Sequence, residues 1–107
     1  VQTKVNEQGI LQMLGLSSKA GRAVSGEFQC EEALKSGKAR LVVVAQDVSA
    51  NTYKKFKNKS EYYHVPFYQL SCNKEGLGRA IGKEKRSCVA VTDTGLAGSI
   101  LKKMEEN

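Results

Sequence analysis

This chain offers little from which to build a catalytic or metal centre. Its only histidine is His64, beside Tyr63 and just ahead of Pro66, and no nucleophile has an obvious base or orienting acid near it in sequence. Covalent and acid–base mechanisms need such neighbours within hydrogen-bond reach, so an enzyme is not expected, and His64 reads as a surface or satisfied loop residue. Cysteine is sparse: Cys30, Cys72 and Cys88 are odd in number, far apart in sequence and without C-x-x-C spacing. That pattern argues against a disulfide framework and a zinc site and suits a reducing cytosol, with half-buried free thiols. No cofactor is implied. Long apolar runs are missing too: residues 1–25 contain no continuous one, and no stretch approaches the roughly 18 apolar residues of a spanning helix. The expectation is a soluble, cytoplasmic protein with no membrane partner.

Positive charge is plentiful. The sequence carries 17 Lys+Arg against 11 Asp+Glu, a net charge of +6 and a pI near 9.3, which favours an anionic partner. Its 107 residues suit a single domain, residues 1–107, able to bury one core unaided by disulfides or metal.

Periodicity divides the chain into alternating helices and strands. Ile10, Leu11 and Leu14 recur at helical spacing after a capping Asn6-Glu7, predicting a helix over 6–20 that stops at Gly21. A short strand fits "RAVS". Gly26 opens a second helix with Ala33 and Leu34 inward and Gly37 as its stop. Leu41 to Ala45 is apolar at consecutive positions, as in a central strand covered on both faces. Ser49 can cap a third helix, with Tyr53 and Phe56 inward and Lys54, Lys55, Lys57 and Lys59 on the solvent side. "VPFYQL" reads as a strand, Asn73 caps a fourth helix to about Ile81, "SCVAVT" is another buried strand, and Leu96, Ile100, Leu101 and Met104 mark a C-terminal helix. With short connections and no linker or repeat, this alternation predicts an α/β protein, a three-layer α/β/α sandwich around a four-stranded sheet with about five helices.

Two familiar phosphate motifs fail. "GLGRAIGK" has three glycines and a lysine, but a nucleotide-binding loop needs four residues between its first Gly and Gly-Lys; Gly76 gives five, Gly78 gives three, and Glu84 stands where Ser or Thr should hold magnesium. The dinucleotide fingerprint would have Ile81 in place of its third glycine. Asp47 and Asp93 follow buried strands and read as helix caps. The basic segments remain: Lys74, Arg79, Lys83, Lys85 and Arg86 against Glu75 and Glu84, and Lys19 with Arg22 before Gly26. Either they solubilise the surface or they meet phosphates, which needs only cations and open backbone amides.

"GLSSKAGRAVSG", "ALKSGKARLVVVAQDVSANT", "YYHVPFY" and "LGRAIGK", in that order, resemble the kink-turn RNA-binding ribosomal-protein superfamily, of the L7Ae type, and within it the bacterial YlxQ-type members. The likeness runs from about Leu11 to Leu101 and implies the same sandwich. It further implies RNA binding through the N-terminus of the second helix and the loop after the fourth, here Gly26 onward and Ala80-Ile81-Gly82. On that basis a half-exposed Ile81 would cover a splayed-out base while Lys83, Lys85 and Arg86 meet adjacent phosphates; the bland alternative is that Ile81, four residues after Leu77, joins the core.

The second helix departs from the family pattern G-x-N-E-x-x-K. The matching stretch is Gly26-Glu27-Phe28-Gln29-Cys30-Glu31-Glu32. Gln29 keeps an amide that donates and accepts against a base edge, Phe28 replaces the Asn, and Glu32 reverses the lysine's charge. Phe28 either stacks on a base or folds back as a hydrophobic contact. The resulting expectation is a monomeric, ribosome- or translation-associated RNA-binding protein with relaxed or altered kink-turn specificity, and with ribosomal proteins or translation factors as further partners. Its contacts would come from Lys19, Arg22, Gly26, Glu27, Phe28, Gln29, Arg79, Ala80, Ile81, Gly82, Lys83, Lys85 and Arg86. The rival expectation is a protein-interaction module on the same fold.

Overall fold

A computed structural model describes residues 7–105. Helix and strand alternate along them: α1 (Glu7–Lys19), β1 (Ala23–Ser25), α2 (Glu27–Lys35), β2 (Leu41–Val44), α3 (Ala50–Tyr62), β3 (Phe67–Gln69), α4 (Lys74–Ala80), β4 (Cys88–Val91) and α5 (Thr94–Glu105). Asn6, expected to help cap the first helix, lies outside the described residues. The four strands form one mixed sheet in the order β1-β4-β2-β3, in which β4 runs antiparallel to both its neighbours and β2 runs parallel to β3.

Alternation of side chains along β2 and β4 sends successive residues to opposite faces, and helices cover both. Leu41, Val43, Val89 and Val91 pack beneath α1, α4 and α5 with Ile10, Leu14, Leu77, Ile100 and Met104. Val42, Val44, Cys88 and Ala90 pack beneath α2 and α3 with Cys30, Ala33, Leu34 and Phe56. The result is the three-layer α/β/α sandwich expected from the sequence, with β4 sharing the centre with β2. Each fully buried aliphatic or aromatic side chain in these layers contributes about 1.5–3 kcal/mol.

Capping signals acted where they were read. The Ser49 hydroxyl accepts the Thr52 N–H at 3.1 Å, and the Asn73 side chain accepts the Gly76 N–H at 2.8 Å. Two glycines bring α1, α4 and the following turn into close contact. A Cβ on Gly15 would lie 2.6 Å from the Ala80 carbonyl oxygen, and one on Gly78 would lie 1.6 Å from the Glu84 oxygen, so neither position admits a side chain as the backbone stands. Among the described residues, no helix is long and apolar enough to cross a membrane.

Candidate nucleic-acid interface

The start of α2 is an open helix end. Gly26 is its N-cap at φ 94°, a left-handed conformation that glycine adopts without penalty, and no side chain caps the first turn. The first-turn N–H groups and the positive end of the helix dipole are thus available to an anion or a base acceptor. The sheet fixes this end in place: the Gly26 N–H donates to the Cys88 carbonyl at 3.0 Å, and the Cys30 N–H closes the first turn onto the Gly26 carbonyl at 3.0 Å.

The turn between α4 and β4 is moulded onto its own helix. α4 ends at Ile81, and Gly82 at φ 74° reverses the chain. The Lys83 N–H then donates to Gly78 O at 2.8 Å, and the Arg86 N–H donates to Lys74 O at 3.0 Å. The missing side chain of Gly78 lets the backbone of Glu84 pass against the helix. Arg86 is held as well. Its Nε donates to the Ser25 hydroxyl at 3.0 Å and its Nη1 to the Lys85 carbonyl at 2.9 Å, leaving further guanidinium N–H groups for a ligand.

These two ends meet. Ser18, Ala23, Val24, Ser25, Gln29, Ile81, Lys83 and Arg86 line one cleft of about 330 Å³, so an α2 amide residue and two cations border the same cavity. Lys19, Ala80 and Gly82 lie around the corner in an adjoining groove that shares Ile81. Lys85 is exposed on the same turn, Arg79 lines a further groove between α1 and α4, and Arg22 is exposed where α1 leads into β1; none of them lines the cleft.

The structure changes two readings and decides a third. Ile81 is 7% exposed and packs in the α1/α4/α5 core, so the half-exposed base cover gives way to the alternative in which it follows Leu77 inward. α4 is so short, and its exit so tightly bound to Gly78, that the last apolar residue stays under the turn. Glu27 is turned away from the cleft: its carboxylate accepts from Lys55 Nζ at 3.1 Å and from the Thr52 hydroxyl at 3.3 Å on α3. Phe28 does not fold back. It is 69% exposed, an isolated aromatic side chain beside the open end of α2. Glu32, the charge reversal, is exposed and pairs loosely with Lys35 at 3.7 Å.

All ion pairs found among the described residues lie on α2 and α3: Glu32–Lys35, Lys55 with Glu27 and Glu31, and Lys57–Glu61. Lys19, Arg79, Lys83, Lys85 and Arg86 take part in none of them. The cations that border the cleft and the adjoining grooves, Lys19, Arg79, Lys83 and Arg86, are thus among those without an ion-pair partner.

Other reactive groups are accounted for structurally. Asp47 accepts the Lys74 N–H at 2.9 Å and Asp93 accepts the Leu96 N–H at 2.8 Å, so both carboxylates cap helices, although Asp47 caps α4 rather than the helix that follows it in sequence. His64 is exposed in a turn at φ 59°. The cysteines are free, but Cys30 and Cys88 are fully buried rather than half-buried; only Cys72 is intermediate. The hydrogen bond to Cys88 and then burial raise the Cys30 pKa, holding it as a thiol, and desolvation followed by the charge of Glu7 pushes Cys72 up to about 11. No group of three or more His, Cys, Asp or Glu among the described residues could hold a metal ion.

Residues 8–100 match the ribosomal protein L7Ae/L30e/S12e/Gadd45 family. The chain belongs to that family. Within and around the L7Ae/L30e/S12e/Gadd45 proteins, it is 42% identical over 89 residues to the RNA-binding protein YlxQ of Bacillus subtilis, covering 83% of this chain and 88% of that one. YlxQ of Enterococcus faecium is 38% identical over 92 residues, covering 86% and 87%. Among solved structures, a protein of unknown function from Bacillus halodurans superimposes with a TM-score of 0.86 at 30% identity, over 96% of this chain and 100% of that one. The 15.5kD RNA binding protein of Giardia lamblia shares the fold with a TM-score of 0.83 at 19% identity, over 97% and 91%.

Sequence reasoning missed Ser18 and Ser25. Serines are common in turns and at helix ends, and nothing local distinguishes these two. Ser25 gains its place only because β1 pairs with β4, bringing it to Arg86 across 61 positions of sequence.

Proposed function

We propose that this protein is a non-enzymatic RNA-binding protein, the whole chain acting as one domain, that grips a bent structured RNA of the kink-turn kind between the N-terminus of α2 and the turn after α4. The observation that carries the reading is the convergence of Gln29 and the open first turn of α2 with Lys83 and Arg86 on one cleft. Lys19, Arg22, Arg79, Lys83, Lys85 and Arg86 contact phosphates, and these contacts set register without reading sequence. Gly26 and the first-turn amides, with Gln29, meet base edges, and exposed Phe28 stacks on an unpaired base. Ala80 to Gly82 supply a shaped backbone wall, with Ile81 supporting it from inside. Because Phe28 and Glu32 replace the amide and the cation of the family pattern, base reading is relaxed relative to a strict kink-turn binder.

RNA binding by the YlxQ relatives supports the same reading. A ribosomal or translational RNA in the cytoplasm is the proposed target, met by the protein as a monomer, with ribosomal proteins or translation factors as neighbours.

The test is a salt-dependent titration of the protein against a kink-turn RNA and a straight duplex of equal length. Binding should favour the bent RNA and weaken by about 0.7–0.9 logarithmic units per tenfold in salt for each phosphate neutralised. The double variant Lys85→Ala/Arg86→Ala should lower affinity and flatten that slope. Flat salt dependence with equal binding to both RNAs would sink the reading in favour of a protein-interaction module. Ile81→Asp is unsuitable as a probe, since it places a carboxylate in the core.

A further inference from the structure

Beyond the cleft, α1 and α4 enclose a second concavity. A groove of about 620 Å³ runs between Gln12, Gly15, Leu16 and Lys19 on one side and Ala80 to Gly82 on the other. It continues into a shallower groove of about 360 Å³ that contains Gln8, Leu11 and Arg79. Leu16 is the anomaly here. It is 60% exposed on a helix whose other leucines and isoleucine are buried or partly buried, and apart from the buried Ile81 the rest of the lining is small or polar.

The chemistry of the groove is specific enough to name an occupant. Gly15, Ala80 and Gly82 carry little or no side chain, so the floor is nearly bare backbone, and the 2.6 Å clearance at Gly15 holds the two helices at that spacing. A floor of small residues beside the exposed Leu16 side chain leaves room for a planar ring. Gln12 brings an amide able to donate and accept against a base edge. Lys19 stands at one end and Arg79 at the other, and neither groove contains a carboxylate. A ligand with a flat, partly apolar body and negative charge at both ends fits this arrangement, and an acidic or purely apolar helix does not. The groove also shares Ile81 with the proposed RNA cleft, so an RNA strand leaving that cleft reaches it directly.

We infer that the α1/α4 groove is a second RNA subsite, which takes an unpaired nucleotide of a single strand flanking the bend, its base over Gly15 and Ala80 against Leu16 and its phosphates on Lys19 and Arg79. This rests on the RNA-binding reading above but adds a contact which that reading does not require. It makes the protein a reader of the junction between a bent duplex and a single-stranded tail.

The experiment compares a bent RNA alone, the same RNA with a tail of about six uridines, and the same RNA with an equally long abasic tail, each titrated with the full chain and with Leu16→Glu. The uridine tail should tighten binding of the unaltered protein by about tenfold, the size of one base-stacking contact. The abasic tail should give much less. Leu16→Glu, whose carboxylate stands one turn from Lys19, should weaken the tail-less RNA by no more than about twofold and lose most of the uridine gain; because Leu16 is exposed, circular dichroism should show an intact fold. An equal gain from the abasic tail would reduce the effect to diffuse charge and overturn the inference. So would no gain at all, or a gain untouched by Leu16→Glu. If the tail adds nothing while Leu16→Glu sheds a co-purifying protein, the groove belongs to a protein partner and the inference is likewise lost. Failure to bind any of the RNAs would instead remove the functional reading itself.

Discussion

Two lysine-rich regions face solvent in this protein, and they differ in what surrounds them. On α3, Lys55 lies 3.1 Å from Glu27 and 3.0 Å from Glu31, and Lys57 lies 3.1 Å from Glu61. In the turn from Gly82 to Arg86, no cation has a carboxylate partner among the described residues, the backbone is pinned to α4, and Arg86 is oriented by a neutral hydroxyl. Composition treats the regions alike. Electrostatically, the first is partly neutralised in place, two of its four lysines being paired, while the second holds three unpaired cations against the single Glu84 on a rigid support beside an open helix end. Exposed ion pairs contribute about 0.2–1 kcal/mol each, so α3 gains slight stability from its charges, whereas the turn gains none from ion pairing.

The contrast can be broken most severely at Gly78. Gly78→Ala leaves every cation in the turn but puts a methyl group into the Glu84 backbone, so it should destabilise the fold by about 3 kcal/mol, the upper end for overpacking, and lower RNA affinity as well. A thermal melt indistinguishable from the unaltered protein's would mean that the turn is not moulded on the helix as described. Next in size is charge reversal. Lys83→Glu should weaken RNA binding about tenfold or more at low salt, and Lys57→Glu by no more than about twofold, since only the first adds repulsion at the phosphate contacts. Equal losses from the two would reduce the comparison to overall charge.

Ser25→Ala isolates orientation from charge. It frees the Arg86 Nε without removing the guanidinium, and a loss of about threefold in affinity with little change in melting temperature is expected, in keeping with one charged hydrogen bond at a partly exposed site. Smallest is Lys55→Ala on the other side of the comparison. It should cost about 0.5–1 kcal/mol in a denaturant titration and leave RNA affinity unchanged. A substantial RNA defect there would extend the interface to α3.

Much of this architecture was legible in the residue order. Ser49 and Asn73 announced helix starts because a cap needs only the residue and the two or three that follow it, and "RLVVVAQD" announced a doubly covered strand because burial on both faces leaves no polar alternation. Gly26 and Gly82 likewise marked the two elements that meet at the cleft, and each adopts a positive φ. What stayed hidden depends on partners distant in sequence. The burial of Ile81 follows from a turn folded back over Gly78, and the withdrawal of Glu27 follows from Lys55 and Thr52 standing on the neighbouring helix. The exposure of Phe28 was undecided by local pattern, because an aromatic residue in a first helical turn suits either a stacked or a folded-back position. The exposure of Leu16 was legible but passed over: at about 100° per residue it lies on the far side of α1 from Ile10 and Leu14.

The strand order has a consequence for how the protein comes into being. β4, the last strand to leave the ribosome, is the one that slots between β1 and β2, and its Cys88 carbonyl anchors Gly26. Until that segment is in place, β1 has no neighbour in the sheet and the Gly26 N–H lacks its acceptor. The cleft therefore cannot assemble from the first three strands alone and is complete only once β4 has joined the sheet.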